Sequence, residues 1–207
     1  TGPEKFVHAQ ALREFRERHG GEMAMSLGTV AAIEAKAGDV TGVVAAERLK
    51  EYPLPWFPTD LHWRFQLDPD DRGETERWAA LSWDAKQKWS MLRTDHFWKS
   101  PHEAPPELTA RLKGYEGVGW YATRLAIPES LQGRDLYLYF GAVDNSCQVY
   151  VNGVLAGAHL FEKGDDWNTP FEIRIDPAVK PDQPLQDVTV RVLNKGGSGG
   201  FWRRVWL

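Results

Sequence analysis

Acidic side chains are the first candidates for chemistry in this sequence, because two carboxyl groups can hydrolyse a bond that lies between them. Such a pair needs a rigid scaffold and a separation of roughly 5 to 10 Å. Asp144 and the adjacent Asp165 and Asp166 are acids among turn-forming residues, and we expect them to be loop acids. We predict no G-x-S-x-G nucleophile elbow, and the six histidines show no H-E-x-x-H metal motif. We therefore expect no catalysis by this chain alone.

Tryptophan is the second chemical feature, with 10 residues in a chain of 207. Flat indole faces fill all-β cores, and they also stack on the C–H faces of sugar rings. The count alone does not separate these two uses. For Trp98 in particular, the sequence leaves open a lid over the end of a sandwich and a second stacking plate.

The totals exclude several classes of partner. A net charge of -4, with no run of basic residues, argues against nucleic acid. No apolar run approaches the roughly 18 residues of a membrane span, and no export signal opens the chain. The start at Thr1 and the end in V-W-L predict a piece of a longer protein, whose signal could lie elsewhere. The single cysteine, Cys147, is predicted to face inward as an inert thiol.

The elements that must position these side chains fall into two parts. Apolar spacing predicts helices within residues 4–51, and Pro53, Pro55 and Pro58 mark a boundary. Residues 1–55 are thus a helical segment or the tail of a preceding domain. From residue 61 onward the pattern alternates with period two, and Asn152-Gly153 is a strong hairpin signal. Many short strands separated by turns predict a two-sheet sandwich or jelly roll over residues 61–207.

Six motifs in order carry a family resemblance. They are W-x-F-x-x-D-P at Trp63 to Pro69, a loose tryptophan element at Trp83 to Trp89, G-x-x-W-Y at Gly117 to Tyr121, V-D-x-x-x-x-V-Y-V-N-G at Val143 to Gly153, T-P-F at Thr169 to Phe171, and G-G-F-W-R-R-V at Gly199 to Val205. Together they resemble the galactose-binding-like, jelly-roll domain of glycoside hydrolase family 2. In that family the catalytic carboxylates lie in a separate barrel domain.

The resemblance implies a carbohydrate-binding rim. By position on the family pattern, Tyr115, Glu116 and His159 should lie on one rim of the sandwich, joined by Asp165, Asp166 and Trp167. Two departures bear on this rim. The family's long loop before the closing G-G motif shrinks here to residues 195–198, and the segment between the hairpin and T-P-F is longer than usual. The predicted carbohydrate-binding set is Tyr115, Glu116, His159, Asp165, Asp166, Trp167 and Trp98.

Other motif residues have structural interpretations. We expect Trp120, Phe201 and Trp202 to pack in the core, Asp144-Asn145 to cap a turn, and Arg203 and Arg204 to pair with acids. No cofactor is predicted. Galactose-binding-like modules sometimes hold structural calcium, for which Asp68, Asp70 and Asp71 could supply oxygens.

The resulting prediction is a non-catalytic carbohydrate-binding module of a larger, extracytoplasmic protein that degrades polysaccharide, in contact with neighbouring domains of the same polypeptide. The alternative is a purely architectural domain that docks onto a catalytic barrel. A third, less favoured class is a fragment of a hydrolase whose remaining parts supply the carboxylates.

Overall fold

Strands dominate the computed structural model, which describes residues 58–162, 164 and 166–207. The predicted helices within residues 4–51, and the proposed domain 1–55, lie outside the described residues. The described strands are β1 (His62–Asp68), β2 (Ser90–Arg93), β3 (Gly117–Leu125), β4 (Tyr137–Asp144), β5 (Ser146–Val151), β6 (Val154–His159), β7 (Phe171–Arg174), β8 (Gln186–Asn194) and β9 (Gly200–Trp206).

Helices in the described part are short and lie between strands. The α-helices are α1 (Trp83–Lys86) and α2 (Pro106–Leu112), and 3-10 turns occur at Trp78–Ala80, Glu129–Leu131, Asp166–Asn168 and Asp176–Ala178. Helix α1 is capped by Ser82, whose side chain accepts a hydrogen bond from the Ala85 N–H. Among the described residues, none of these helices has the length and apolar character to cross a membrane.

The strands form two antiparallel sheets. The large sheet has the order β2-β1-β3-β8-β5-β6, and the small sheet has the order β7-β4-β9. Strands β1 to β3, the β5–β6 hairpin and β8 belong to the large sheet, and the chain crosses to the small sheet at β4, β7 and β9. These crossings join the two layers over a shared core. The predicted two-sheet jelly-roll sandwich is confirmed for the described residues.

Aromatic rings from both sheets meet in the core. Phe201 of β9 stacks on Tyr121 of β3 with ring centroids 4.2 Å apart, and it meets Trp63 of β1 edge-on at 5.5 Å. Such pairs add about 0.5 to 1.5 kcal/mol beyond their burial. Cys147 is buried, as predicted, and desolvation raises the pKa of its thiol to about 12. The core therefore contains aromatic side chains from the strands that carry the sequence motifs.

The outer face of the large sheet carries a second aromatic cluster. Trp120 points outward from β3 and packs against Trp78 and Trp89, which lie in the segment that connects β1 to β2. The Trp120 indole N–H donates to the Asp68 carboxylate at 3.0 Å. Burial of Trp120 is therefore confirmed, although it lies on the outer side of the sheet and not between the two layers.

The β5–β6 hairpin turns where the sequence predicts. Asn152 and Gly153 both have positive φ, at 51° and 80°, as a two-residue type I′ turn requires. The Asn152 side chain also donates to the Gln186 side chain at 2.7 Å and accepts from the Asp187 N–H at 3.0 Å. This turn therefore links the hairpin to β8 as well as reversing the chain.

Candidate functional site

One end of the sandwich gathers the ends of several strands. Strand β3 begins there at Gly117, β5 begins at Ser146 opposite Leu193, and β6 ends at His159 opposite Cys147. We call the described residues of the loops at this end the rim: residues 115–116, 160–162, 164, 166–170 and 195–199. Most of the predicted binding residues come from these loops.

Trp167 presents the most exposed indole of the rim. Trp167 is 37% exposed as a residue. Its ring stacks on Trp202 at 5.4 Å, and Trp202 in turn stacks on Phe97 at 4.9 Å. The Trp202 indole N–H donates to the Trp167 carbonyl at 2.9 Å. These contacts fix Trp167 against the side of the sandwich and leave part of its ring open to solvent.

His159 contacts the residue that precedes Trp167. Its imidazole stacks on Phe171 with centroids 4.0 Å apart, and Nε2 lies 3.4 Å from the Asp166 carbonyl. Burial lowers the pKa of His159 below its ordinary value, so the ring is neutral at neutral pH. The Asp166 carboxylate accepts from the Glu162 N–H at 2.7 Å, which curls the loop back on itself. His159, Asp166 and Trp167 therefore lie together, as the sequence predicts.

Tyr115 and Glu116 lie at the same end but on a different part of it. They precede β3, whereas His159 ends β6, and β8 and β5 lie between these two strands. Three strand spacings of about 4.8 Å give a separation of roughly 14 Å. The Tyr115 hydroxyl donates to the Val118 carbonyl at 2.9 Å, which holds the ring against its own strand. The predicted set is therefore divided into two groups.

Trp98 is predicted from the sequence as a carbohydrate-binding residue, but it lies inside the sandwich. It is 0% exposed, and its indole N–H donates to the Tyr121 hydroxyl at 2.7 Å inside the sandwich. A side chain at Gly119, Gly199 or Gly200 would come within 2.8 Å of the ring, so the indole fills space that these glycines leave. Both faces are covered, and the interpretation of Trp98 as a stacking plate is wrong. It closes the end of the core.

The remaining acid of the predicted set, Asp165, lies outside the described residues, so its place relative to Trp167 stays a prediction.

Asp144, which the sequence predicts to cap a turn, is described and is buried. Its carboxylate accepts from the Ser198 and Gly199 N–H groups at 2.8 and 2.9 Å, and it also accepts from the Asn145 side chain. Asn145 accepts from the Lys195 N–H at 3.0 Å. The predicted capping role of Asp144-Asn145 is confirmed, and these two residues hold loop 195–199.

Two of the aspartates considered for calcium, Asp68 and Asp71, accept hydrogen bonds within the protein, and calcium binding stays a prediction. Both Asp68 oxygens accept N–H hydrogen bonds, from Arg72 at 2.8 Å and from Gly73 at 2.8 Å. Both Asp71 oxygens accept from the Arg191 guanidinium, at 2.7 and 2.8 Å. A calcium ion needs several oxygens that converge on one point. These carboxylates instead hold the backbone and a neighbouring side chain.

Two features of the rim are missed by the sequence prediction. Trp202, expected in the core, is only partly buried and forms the middle of the aromatic stack, with the Arg203 guanidinium 4.0 Å from its ring centroid. Its neighbour Phe201 is fully buried, as predicted.

The letters G-x-S-x-G do occur, at Gly196 to Gly200, but they join strand β8 to strand β9. An elbow requires a following helix, so this loop is not one.

Comparisons with curated proteins link this chain to glycosidases. A β-glucuronidase of Paenibacillus borealis is 28% identical over 138 residues, which are 64% of this chain and 20% of that protein. A β-glucuronidase of Streptococcus agalactiae is 35% identical over 63 residues, which are 30% of this chain and 10% of that protein. No protein-family model matches the chain.

Solved structures show the same fold. The β-glucuronidase of Ruminococcus gnavus superposes with a TM-score of 0.59 at 20% identity, over 73% of this chain and 28% of that one. The chain therefore spans less than a third of the length of the relatives that it matches. Together the matches support a domain related to glycoside hydrolase family 2, as the motifs imply.

Proposed function

We propose that the described domain is a non-catalytic carbohydrate-binding module of a larger glycoside hydrolase-like protein, and that a sugar ring stacks on Trp167 at the rim. The observation that carries this proposal is the exposed part of the Trp167 ring, which Trp202 braces from one side. A ring fixed in advance loses little entropy when a ligand stacks on it. Its position beside polar groups suits a molecule that is apolar on its faces and polar at its edges.

Neighbouring groups could supply the hydrogen bonds. A neutral His159 imidazole has one donor and one acceptor nitrogen, and the Asp166 carboxylate offers acceptor oxygens at the same loop. Asp165 completes this group in our proposal. Tyr115 and Glu116, roughly 14 Å away by strand spacing, would contact a second sugar unit and not the same one.

The comparisons suggest which sugars to test first. The Ruminococcus gnavus β-glucuronidase has been solved in complexes with D-glucuronic acid and with uronic deoxynojirimycin. Those ligands belong to the whole enzyme, of which this chain matches 28%. Uronic sugars are therefore the first probes for this domain, with neutral sugars beside them.

Titration of the chain with glucuronides and neutral oligosaccharides, followed by calorimetry, tests the proposal. We expect Trp167→Ala to weaken binding about tenfold, which corresponds to one stacking contact of about 1.4 kcal/mol. Leu185→Ala is the matched control, because Leu185 is 41% exposed and precedes β8 at the opposite end. The proposal fails if no sugar binds at millimolar concentration, or if both variants lose affinity equally.

An architectural role is the alternative, and one observation favours it. Leu160 and Phe161, which follow the end of β6 at the rim, are 59% and 41% exposed. Exposed apolar side chains in one loop are typical of protein contacts. If the domain only docks, the chain binds no sugar. Phe161→Ser then reduces the association of the chain with other proteins or with further copies of itself in sedimentation experiments.

A further inference from the structure

The open face of the large sheet carries a second group of side chains with the chemistry of a binding site. Gln148 on β5 lies opposite Arg191 on β8, and Tyr150 lies two residues along β5 on the same face. All three are partly exposed. On the other side, Gln148 lies opposite the exposed Ala158 of β6. Three neighbouring strands therefore form a floor.

The segment that follows β1 forms a wall along this floor. Glu74 accepts a hydrogen bond from the Tyr150 hydroxyl at 3.3 Å, which ties the wall to β5. Tyr150 and Trp78 both pack on the buried Trp120, with ring centroids 5.9 and 6.1 Å from its own. Both rings are thus held in place by a buried residue. We call Gln148, Tyr150, Arg191, Glu74 and Trp78 the sheet-face site.

The planar polar groups of this site are held in fixed orientations. One terminal nitrogen of the Arg191 guanidinium, Nη2, donates to both Asp71 carboxylate oxygens at 2.7 and 2.8 Å, and the other, Nη1, donates to the Gln148 side-chain oxygen at 3.4 Å. Arg191 is only 11% exposed in this arrangement. A guanidinium and an amide fixed side by side can bind vicinal hydroxyls without first losing side-chain entropy.

We propose that the sheet-face site binds a neutral oligosaccharide, at a position separate from the rim and independent of it. The tyrosine and tryptophan rings would contact apolar sugar faces, while Gln148, Glu74 and the edge of Arg191 contact hydroxyl groups. Asp71 neutralises Arg191 and Arg72 pairs with Glu76, so the Glu74 carboxylate leaves a negative charge on the wall, which repels a uronic or sulfated chain. The interleaved polar groups also disfavour a purely apolar protein surface as the occupant.

NMR titration of the full chain with xylo- and cello-oligosaccharides distinguishes the two sites. The Trp78 indole N–H reports on the sheet-face site, and the Trp167 indole N–H reports on the rim. We expect saturable shifts of the Trp78 signal and of the Gln148 and Tyr150 amides. Gln148→Ala should raise the dissociation constant about tenfold, whereas Trp167→Ala should leave it within about twofold. Tyr150→Phe, which keeps the ring, should give a smaller loss than Gln148→Ala.

Three outcomes would overturn the sheet-face site. The first is that shifts occur only at Trp167 and the rim loops. The second is that Gln148→Ala and Tyr150→Phe both bind as tightly as the parent chain. The third is that oligogalacturonate binds more tightly than the neutral oligosaccharides. If Trp167 responds neither to these oligosaccharides nor to glucuronides, the rim proposal is contradicted and the sheet-face site is left standing.

Discussion

Individual polar residues of the motifs are engaged in internal hydrogen bonds. Asp68 accepts from two backbone N–H groups and from Trp120, and Asp144 accepts from two backbone N–H groups of loop 195–199. Buried polar groups need such partners, because leaving them unpaired costs about 1 to 3 kcal/mol each. The residues that make the family recognisable from sequence are therefore largely those that build the fold. This is why the motifs predict the architecture better than they predict the binding residues.

Lys86 gives a residue-level prediction about pH. Its ammonium group is 1% exposed and donates to the Ala79 carbonyl at 2.9 Å, and burial lowers its pKa from 10.5 to about 8. Between pH 8 and 10.5 the unfolded chain holds this proton and the folded chain does not. Folding stability therefore rises with pH across that window. Below pH 8 both states are protonated and the full cost of burying the charge is present.

Substitution Lys86→Met removes this titration. Relative to Lys86→Met, the parent chain should gain about 1 to 3 kcal/mol in free energy of unfolding as the pH rises from 8 to 10.5. Urea unfolding at several pH values measures this difference, and groups common to both proteins cancel. A constant difference across the window would show that Lys86 keeps an ordinary pKa in the folded state.

At the level of elements, strand pairing is predictable where turn chemistry is explicit. The hairpin at Asn152-Gly153 follows directly from the positive φ values that these residues tolerate. The small sheet is harder, because β4 pairs with β7 and β9, which are distant in sequence. Trp98 is harder still, because its burial depends on three glycines that come from two other parts of the chain. A sequence pattern describes one element at a time, whereas contacts between distant segments depend on how all the elements are arranged.

Loop 195–199 gives a prediction at this scale. Asp144 holds it through a charged acceptor oxygen, and charge-assisted hydrogen bonds are stronger than neutral ones. Asp144→Asn should lower the free energy of unfolding by about 1 to 3 kcal/mol and speed amide exchange at Ser198 and Gly199. Asp135→Asn is the control, since it removes only a 65% exposed partner of Arg174 and should cost less than about 1 kcal/mol. Equal losses of stability in the two variants would contradict the role of Asp144 in holding loop 195–199.

For the whole molecule, the period-two alternation and the motif order together predict a sandwich over residues 61–207, and the structure confirms it for the described residues. The sequence does not predict that the rim residues fall into two separate groups. Tyr115 and His159 belong to one end by motif position, yet two strands separate them. Distances across a sheet depend on strand order, and strand order is a property of the assembled fold. The exposed sheet face is likewise invisible until β5, β6 and β8 are placed side by side.

Catalytic ability is also a property of the whole arrangement. Glycoside hydrolysis requires two carboxyl groups that face a bound sugar across roughly 5 to 10 Å. In the described residues, Asp71, Asp95 and Asp176 are ion-paired with arginines, and Asp68 and Asp144 are buried in hydrogen bonds. We therefore expect the chain alone to release no 4-nitrophenol from 4-nitrophenyl β-D-glucuronide above the rate in buffer.

The control for this assay must separate the chain from a contaminating glycosidase. A trace enzyme would give turnover that is unchanged in Asp166→Asn and varies between preparations. Activity of the chain itself would scale with its concentration and fall at least tenfold in Asp166→Asn, because removing a catalytic carboxylate abolishes its acid–base step. That second result would contradict a purely binding role, and it would place the reacting carboxyl at the rim, where Asp166 already curls the loop beside His159 and Trp167.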